Sequence, residues 1–113
     1  MTRILCLAIA AGILLSPMAG HAREPGDPQK GRVLAERTCM SCHAIGRQQL
    51  RSPNPDAPAF RQLARTPGMT ATALRAGLQT SHRNMPNLVL HEQDREDIIA
   101  YILALNAFPQ RQL

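Results

Sequence analysis

Two cysteines and a histidine at close spacing, Cys39-Met40-Ser41-Cys42-His43, carry the strongest chemical signal in this chain. Two thiols three positions apart on a helical turn can add to the two vinyl groups on one edge of a haem, and the adjacent histidine then lies beneath the iron. The motif therefore predicts one covalently attached haem c, with Cys39 and Cys42 as its anchors and His43 as an iron ligand.

The same motif has other interpretations. A thioredoxin-like dithiol needs a βαβ context, and a zinc site needs a fourth ligand together with the joint use of Cys42 and His43. A structural disulfide is a poor explanation, because Cys39 and Cys42 would close a loop too small to restrict the unfolded chain much. Redox chemistry, metal binding and cofactor attachment remain, and the spacing favours attachment.

The iron of a haem needs a ligand on its other face, and methionine and histidine both bind haem iron. The candidates are Met69, Met85, His82 and His91. Met85 lies in a predicted loop, where Pro86 removes one backbone donor and stiffens the chain. Met69 stands next to a predicted helix start and is better explained as core filler. The residues alone favour Met85 and leave His82 as the alternative.

The first 22 residues are typical of an export signal. Thr2-Arg3 provides a short positive segment, and residues 4–15 form a 12-residue apolar run, shorter than the roughly 20 residues that cross a bilayer as a helix. Gly20-His21-Ala22 supplies the small residues that a signal peptidase accepts. We therefore expect a signal peptide over residues 1–22, which removes Cys6, and a periplasmic domain over residues 23–113. The alternative is an uncleaved membrane anchor.

Charge and composition narrow the class of partner. Without Arg3, which belongs to the expected signal peptide, the chain has twelve of its 13 basic residues and eight acidic residues, which gives a net charge of +4. The charges are spread singly, and the chain has two Phe, one Tyr and no Trp, which argues against a nucleic acid partner. Arg47, Arg51 and Arg83 are candidates to steer the protein to an acidic partner. So few aromatic side chains also indicate that something else fills the core.

Helical periodicity, without a convincing strand pattern, predicts an all-α domain. Asp27-Pro28 marks the start of a helix that runs into the cysteine motif, and shorter helices are expected around Phe60 and after Thr70. The inward face of the first helix is predicted to carry Gly31, Leu34, Ala35 and Thr38. The best helix runs from about residue 92 to 105. Four acids near its start are expected to complement the helix dipole: Glu92, Asp94, Glu96 and Asp97.

The chain resembles class I monohaem cytochromes c over residues 27–107. The resemblance rests on the glycine-containing helix that leads into the cysteine motif and on three further segments: Ala57-Pro58-Ala59-Phe60, His82-Arg83-Asn84-Met85-Pro86 and Ile98-Ile99-Ala100-Tyr101-Ile102. It implies a cytochrome c fold of four to five helices wrapped around one covalently bound haem. It further implies that Met85 is the sixth ligand of the iron.

The resemblance also implies specific contacts. The Pro58 carbonyl should accept a hydrogen bond from the His43 ring, which fixes the tautomer of the ligand. The first and last helices should cross at Gly31 and Tyr101, where the glycine lets the backbones approach closely. Two positions depart from the family pattern. Ala35 stands where an aromatic residue is common, and His91 stands where Ser or Thr usually caps the last helix.

These features predict an exported, soluble electron carrier and not an enzyme, because two axial ligands leave iron no vacant position. Its expected partners are redox proteins, a donor and an acceptor, with membrane-bound respiratory complexes among the candidates. We expect a monomer that binds no nucleic acid and no small-molecule substrate. The alternative is a haem c subunit of a membrane-associated or periplasmic dehydrogenase or oxidase complex. In a third interpretation Met85 does not bind iron, and the protein is a ligand sensor or a peroxidase-like enzyme.

Overall fold

A computed structural model of the protein describes residues 25–82 and 84–106, and the regular secondary structure within these ranges is entirely helical. The helices are α1 (Pro28–Thr38), α2 (Phe60–Arg65), α3 (Ala71–Gln79) and α4 (Glu92–Ala104). The prediction of an all-α domain is confirmed. The expected signal peptide over residues 1–22 and the expected steering residue Arg83 lie outside the described ranges. Within those ranges no helix is both long enough and apolar enough to cross a membrane.

Helix α1 begins as its sequence predicts. The Asp27 side chain accepts hydrogen bonds from the backbone N–H groups of Gln29 and Lys30, at 2.8 and 3.3 Å, and Pro28 occupies the first helical position. These contacts satisfy amides that have no partner inside the helix. One detail of the prediction is wrong, because Thr38 is exposed. The inward face instead advances by four residues at a time, through Gly31 and Ala35 to Cys39, which is only 5% exposed.

Helices α1 and α4 cross at Gly31. A Cβ atom at this position would overlap the Asp97 carbonyl group and would lie 2.9 Å from Tyr101 Cβ. The absence of a side chain therefore allows the two backbones to touch, as the resemblance implied. The Asp97 side chain adds a second connection, since its Oδ1 accepts the Asp27 backbone N–H at 2.8 Å. The start of α1 is thus joined to the middle of α4.

Helix α4 is the centre of the described fold, because it contacts each of the other three helices. Its fully buried side chains are Ile98, Ile99 and Ile102. Glu92 and Asp94 lie in its first turn, where acids complement the helix dipole, as predicted. The same prediction is wrong for Glu96 and Asp97, which lie beyond the first turn. They are 8% and 3% exposed and bond to neighbouring segments. A helix surrounded on several sides buries polar residues, and these residues then need partners.

His91 occupies the N-cap position of α4, and its side chain makes no capping hydrogen bond. We expect His91→Ser to raise the free energy of unfolding by about 1 kcal/mol, because a serine hydroxyl can accept an N–H of the first turn. For a domain of this size that corresponds to a rise of roughly 4–8 °C in Tm. His91→Ala is the control and should change Tm little. Thermal unfolding followed by circular dichroism measures both, and equal Tm values for the two variants would contradict the prediction.

The two short helices lie between long irregular segments, also as predicted. Thr70 caps α3, since its hydroxyl accepts the Ala73 N–H at 3.1 Å. Helix α2 has no side-chain cap, but its first residue, Phe60, is buried and its backbone N–H donates to the Ala44 carbonyl at 2.9 Å. The irregular segment before α2, residues 44–59, therefore returns to the end of the cysteine motif. The segment between α3 and α4 contains Met85.

Candidate functional site

The cysteine motif forms a tight turn at the end of α1. The Cys39 carbonyl accepts the backbone N–H groups of Cys42 and His43, at 3.1 and 2.9 Å. This turn brings both thiols and the His43 ring to one end of the helix. Both cysteines are free thiols. Cys39 is buried, whereas Cys42 and His43 are half-buried.

The Cys39 thiol is not a reactive thiolate at neutral pH. Its burial, together with repulsion from the neighbouring Cys42, raises the pKa of Cys39 to about 11. Cysteines that perform redox catalysis have a lowered pKa and stand in electropositive surroundings. The described residues also contain no strand that could form a βαβ unit. The dithiol interpretation of the motif is therefore disfavoured.

The zinc interpretation is disfavoured as well. Within residues 25–82 and 84–106, no group of three or more His, Cys, Asp or Glu side chains is arranged to hold a metal ion. A structural zinc site needs four protein ligands. The motif supplies three of these four ligands at most, from Cys39, Cys42 and His43.

His43 is held in one defined tautomer. Its Nδ1 donates to the Pro58 carbonyl at 2.7 Å, and because a carbonyl can only accept, the proton of the neutral ring is on Nδ1. The lone pair of Nε2 is then available to a metal. The contact between His43 and Pro58 that the resemblance implied is present, and it leaves the ring ready to act as an iron ligand.

The backbone on both sides of His43 is clamped by the irregular segment before α2. Asn54 donates its backbone N–H to the Cys42 carbonyl at 3.1 Å, and the Ser52 hydroxyl accepts the Ala44 N–H at 2.9 Å. Together with the bond between Phe60 and Ala44, these contacts fix the residues before and after His43. Nothing in the sequence distinguished Ser52 from other polar loop residues, so its role became visible only in the structure.

Aromatic side chains support the His43 ring from the core. The Phe60 ring lies 5.4 Å from the His43 ring and 6.4 Å from the Tyr101 ring, centroid to centroid, and both pairs are tilted. The Tyr101 hydroxyl donates to the Ile45 carbonyl at 2.8 Å, and burial raises the pKa of Tyr101. The sequence predicts a short helix around Phe60, but it does not predict the contact of this ring with the histidine.

The candidates for a second ligand occupy different surroundings. Met85 is half-buried in the segment between α3 and α4, and its backbone N–H donates to the His82 carbonyl at 3.1 Å. Met69 packs against the apolar core, as expected for core filler. His82 and His91 are exposed, and the His82 ring bonds to the Thr80 carbonyl at 3.0 Å. Cys39, Cys42, His43 and Pro58 thus form one cluster, and Met85 lies on a separate segment.

A family model described as Cytochrome c matches residues 28–106. The chain belongs to the cytochrome c family. Searches among curated proteins and among solved structures find no significant match. As a cytochrome c, the protein binds haem c, which contains iron, and takes part in electron transfer with redox partners. The free thiols and the Nδ1 hydrogen bond of His43, which directs Nε2 away from the backbone contact, fit that cofactor.

Proposed function

We propose that this cytochrome c is an exported carrier of single electrons, with one haem c joined to Cys39 and Cys42 and with His43 and Met85 as the axial ligands of its iron. The hydrogen bond from His43 Nδ1 to the Pro58 carbonyl carries the proposal, because it holds the ring in the tautomer that an iron ligand requires. Half-burial of Met85 in a proline-stiffened segment supports its role as the second ligand.

The arrangement of the two thiols supports covalent attachment. Each thiol would place its sulfur on one carbon of a vinyl group and its proton on the other, so that a thioether forms without an oxidant or a reductant. Because Cys39 and Cys42 stand on one turn, the haem would be held in one register relative to His43. The haem then supplies one-electron exchange between ferrous and ferric iron.

The proposed ligand set favours a carrier over an enzyme. His43 on one face and Met85 on the other would fill both axial positions, so oxygen or peroxide would find no vacant site. Methionine ligation and burial of the haem also favour the reduced state and raise the reduction potential. These residues hold and shield the iron, and none of them needs to move a proton during electron exchange.

Uncovered apolar surface around the described core favours the binding of a large flat cofactor. Phe60 is the one buried aromatic residue among those described. Around it, several half-buried side chains pack against the core and keep part of their apolar surface uncovered: Leu63, Met69, Leu78 and Leu90. A porphyrin would cover such surface and would supply the apolar area that Phe and Trp provide in other domains.

The charged residues near His43 support an acidic redox partner. Arg47 and Arg51 are exposed, and both line an open cleft that also contains His43 and Arg32. Basic side chains beside the proposed haem site would accelerate the approach of a partner with acidic side chains. Electron-transfer complexes of this kind are small and short-lived, which suits a protein that exchanges partners.

Met85→Leu tests the ligand set, because leucine preserves the volume but offers no sulfur to the iron. We expect the ferric variant to lose the far-red absorption band of methionine-bound haem iron and the ferrous variant to bind carbon monoxide. Absorption spectra of the purified, haem-loaded protein measure both effects. Met69→Leu is the matched control and should retain the spectrum of the unmodified protein.

The alternative ligand gives a different result. If His82 binds the iron, Met85→Leu leaves the low-spin spectra unchanged and carbon monoxide does not bind, and the proposed Met85 ligation is then refuted. Binding of carbon monoxide to ferrous His82→Ala would then identify His82 as the ligand.

A further inference from the structure

A two-point ion pair joins α3 to α4. Arg75 Nε donates to Glu96 Oε1, and Arg75 Nη2 donates to Glu96 Oε2, each at 2.7 Å. The two side chains are only 17% and 9% exposed. The hydrogen bonds to Glu96 raise the pKa of Arg75, so the guanidinium keeps its charge. Paired bonds of this type fix both distance and orientation.

The apolar contact between α3 and the other described helices is small. Among the described helices α3 contacts α4 alone. Leu74 is its one buried residue, while Ala71 and Leu78 are partly buried. A helix with so small an apolar contact opens more easily than the core of a domain. The bond between Arg75 and Glu96 therefore adds a directional polar connection to this small apolar contact.

The segment that carries Met85 depends on these two helices. Its first residue, Thr80, ends α3, and its last, His91, begins α4. Among its described residues, 80–82 and 84–91, the hydrogen bonds within the segment are local, from Met85 N–H to the His82 carbonyl and from the His82 ring to the Thr80 carbonyl. The position of Met85 is therefore set by the two ends of the segment, and the ion pair fixes those ends relative to each other.

We propose that Arg75 and Glu96 are positioning residues for the Met85 ligand, because their ion pair holds the ends of the 80–91 segment and so opposes release of the Met85 thioether. While the ion pair is intact, release of Met85 from the iron increases the conformational freedom of the segment only between its two fixed ends. Without it, α3 can move together with the segment, and the released state gains more conformational entropy. The inference rests on the proposed function, since it requires Met85 to bind the iron.

Imidazole is a suitable probe, because it binds ferric haem only after Met85 has left. The apparent affinity for imidazole then increases in proportion to the fraction of molecules that are open. We expect Arg75→Gln and Glu96→Gln each to bind imidazole about tenfold more tightly than the unmodified holoprotein. The double variant should show less than the product of the two single effects, because both substitutions remove the same pair.

The pair between Arg32 and Glu36 on α1 provides a matched control. It has the same residue types, but it makes one bond at 3.0 Å and its side chains are 62% and 44% exposed. Glu36→Gln should leave imidazole binding unchanged, because an exposed pair contributes little. Arg75→Lys keeps the charge but cannot form the two-point contact, and it should bind imidazole with an intermediate affinity. If the glutamine variants do not fold, Arg75→Lys still tests the proposal.

A general loss of stability must be separated from release of the ligand. In guanidinium titrations of Arg75→Lys and Glu96→Gln, the far-red band should disappear at a lower concentration than the helical circular dichroism signal. The positioning role is refuted if the two transitions shift together. It is also refuted if the unmodified protein shows the far-red band but the variants bind imidazole with unchanged affinity. If the unmodified protein lacks the band altogether, the failure lies in the proposed Met85 ligation.

Discussion

Replacing Cys39 and Cys42 together with alanine is expected to abolish covalent attachment of haem. Both thiols lie on the turn that ends α1, and both are free. In the unmodified protein, haem should remain with the polypeptide after acid denaturation and organic extraction, whereas the double variant should release all of it. Each single variant should still retain bound haem through its remaining thioether. Haem-stained denaturing gels and the mass of the polypeptide measure the difference.

Cys6→Ala is the control for this experiment. Cys6 belongs to the expected signal peptide, so its loss should leave attachment unchanged. Haem that stays bound to the denatured Cys39→Ala/Cys42→Ala polypeptide would refute the attachment proposal. The experiment also separates haem attachment from the dithiol and zinc interpretations, because neither of these predicts a polypeptide that carries the mass of a porphyrin.

Gly31→Ala should produce a large loss of stability. The added methyl group would overlap the Asp97 carbonyl, which is backbone and cannot move unless α1 and α4 separate. We expect a decrease of about 3 kcal/mol in the free energy of unfolding, at the upper end of the range for substitutions that overfill a packed contact. Chemical denaturation of the haem-loaded protein, followed by circular dichroism, measures this decrease.

The same substitution at Gly77 provides a control with the opposite sign. Gly77 lies within α3, and a Cβ atom there would meet nothing within 4 Å beyond its chain neighbours and the nearby backbone of its own helix. Alanine is favoured over glycine inside a helix, so Gly77→Ala should raise stability by about 0.5–1 kcal/mol. A similar loss of stability in both variants would show that the crossing at Gly31 is not the cause.

Local patterns predicted the elements of this fold well. The cap at Asp27, the cap at Thr70 and the bounds of α4 all follow from residues that are neighbours in sequence. The cysteine motif is equally local, since one turn of chain brings its residues together. The close approach of the helices at Gly31 could be predicted only from the resemblance, because a glycine in a helix does not by itself indicate which segment packs against it.

Contacts between distant segments could not be predicted in the same way. Arg75 and Glu96 are 21 residues apart, and nothing in either helix indicates that they meet. The burial of Glu96 and Asp97 could not be predicted, because helical periodicity assumes one buried face, whereas α4 has neighbours on several sides. The hydrogen bond of the Ser52 hydroxyl could not be predicted either, because its partner depends on how residues 44–59 return to the cysteine motif.

The clamps around His43 have a consequence for the order of folding. The bonds from Ala44 to Ser52 and from His43 to Pro58 connect residues eight and fifteen positions apart, and chain segments of about ten residues close within roughly 100 ns. The contact between Asp27 and Asp97 spans 70 positions, so it costs more chain entropy to form. The surroundings of the histidine can therefore assemble as an early local unit, before the two ends of the domain meet.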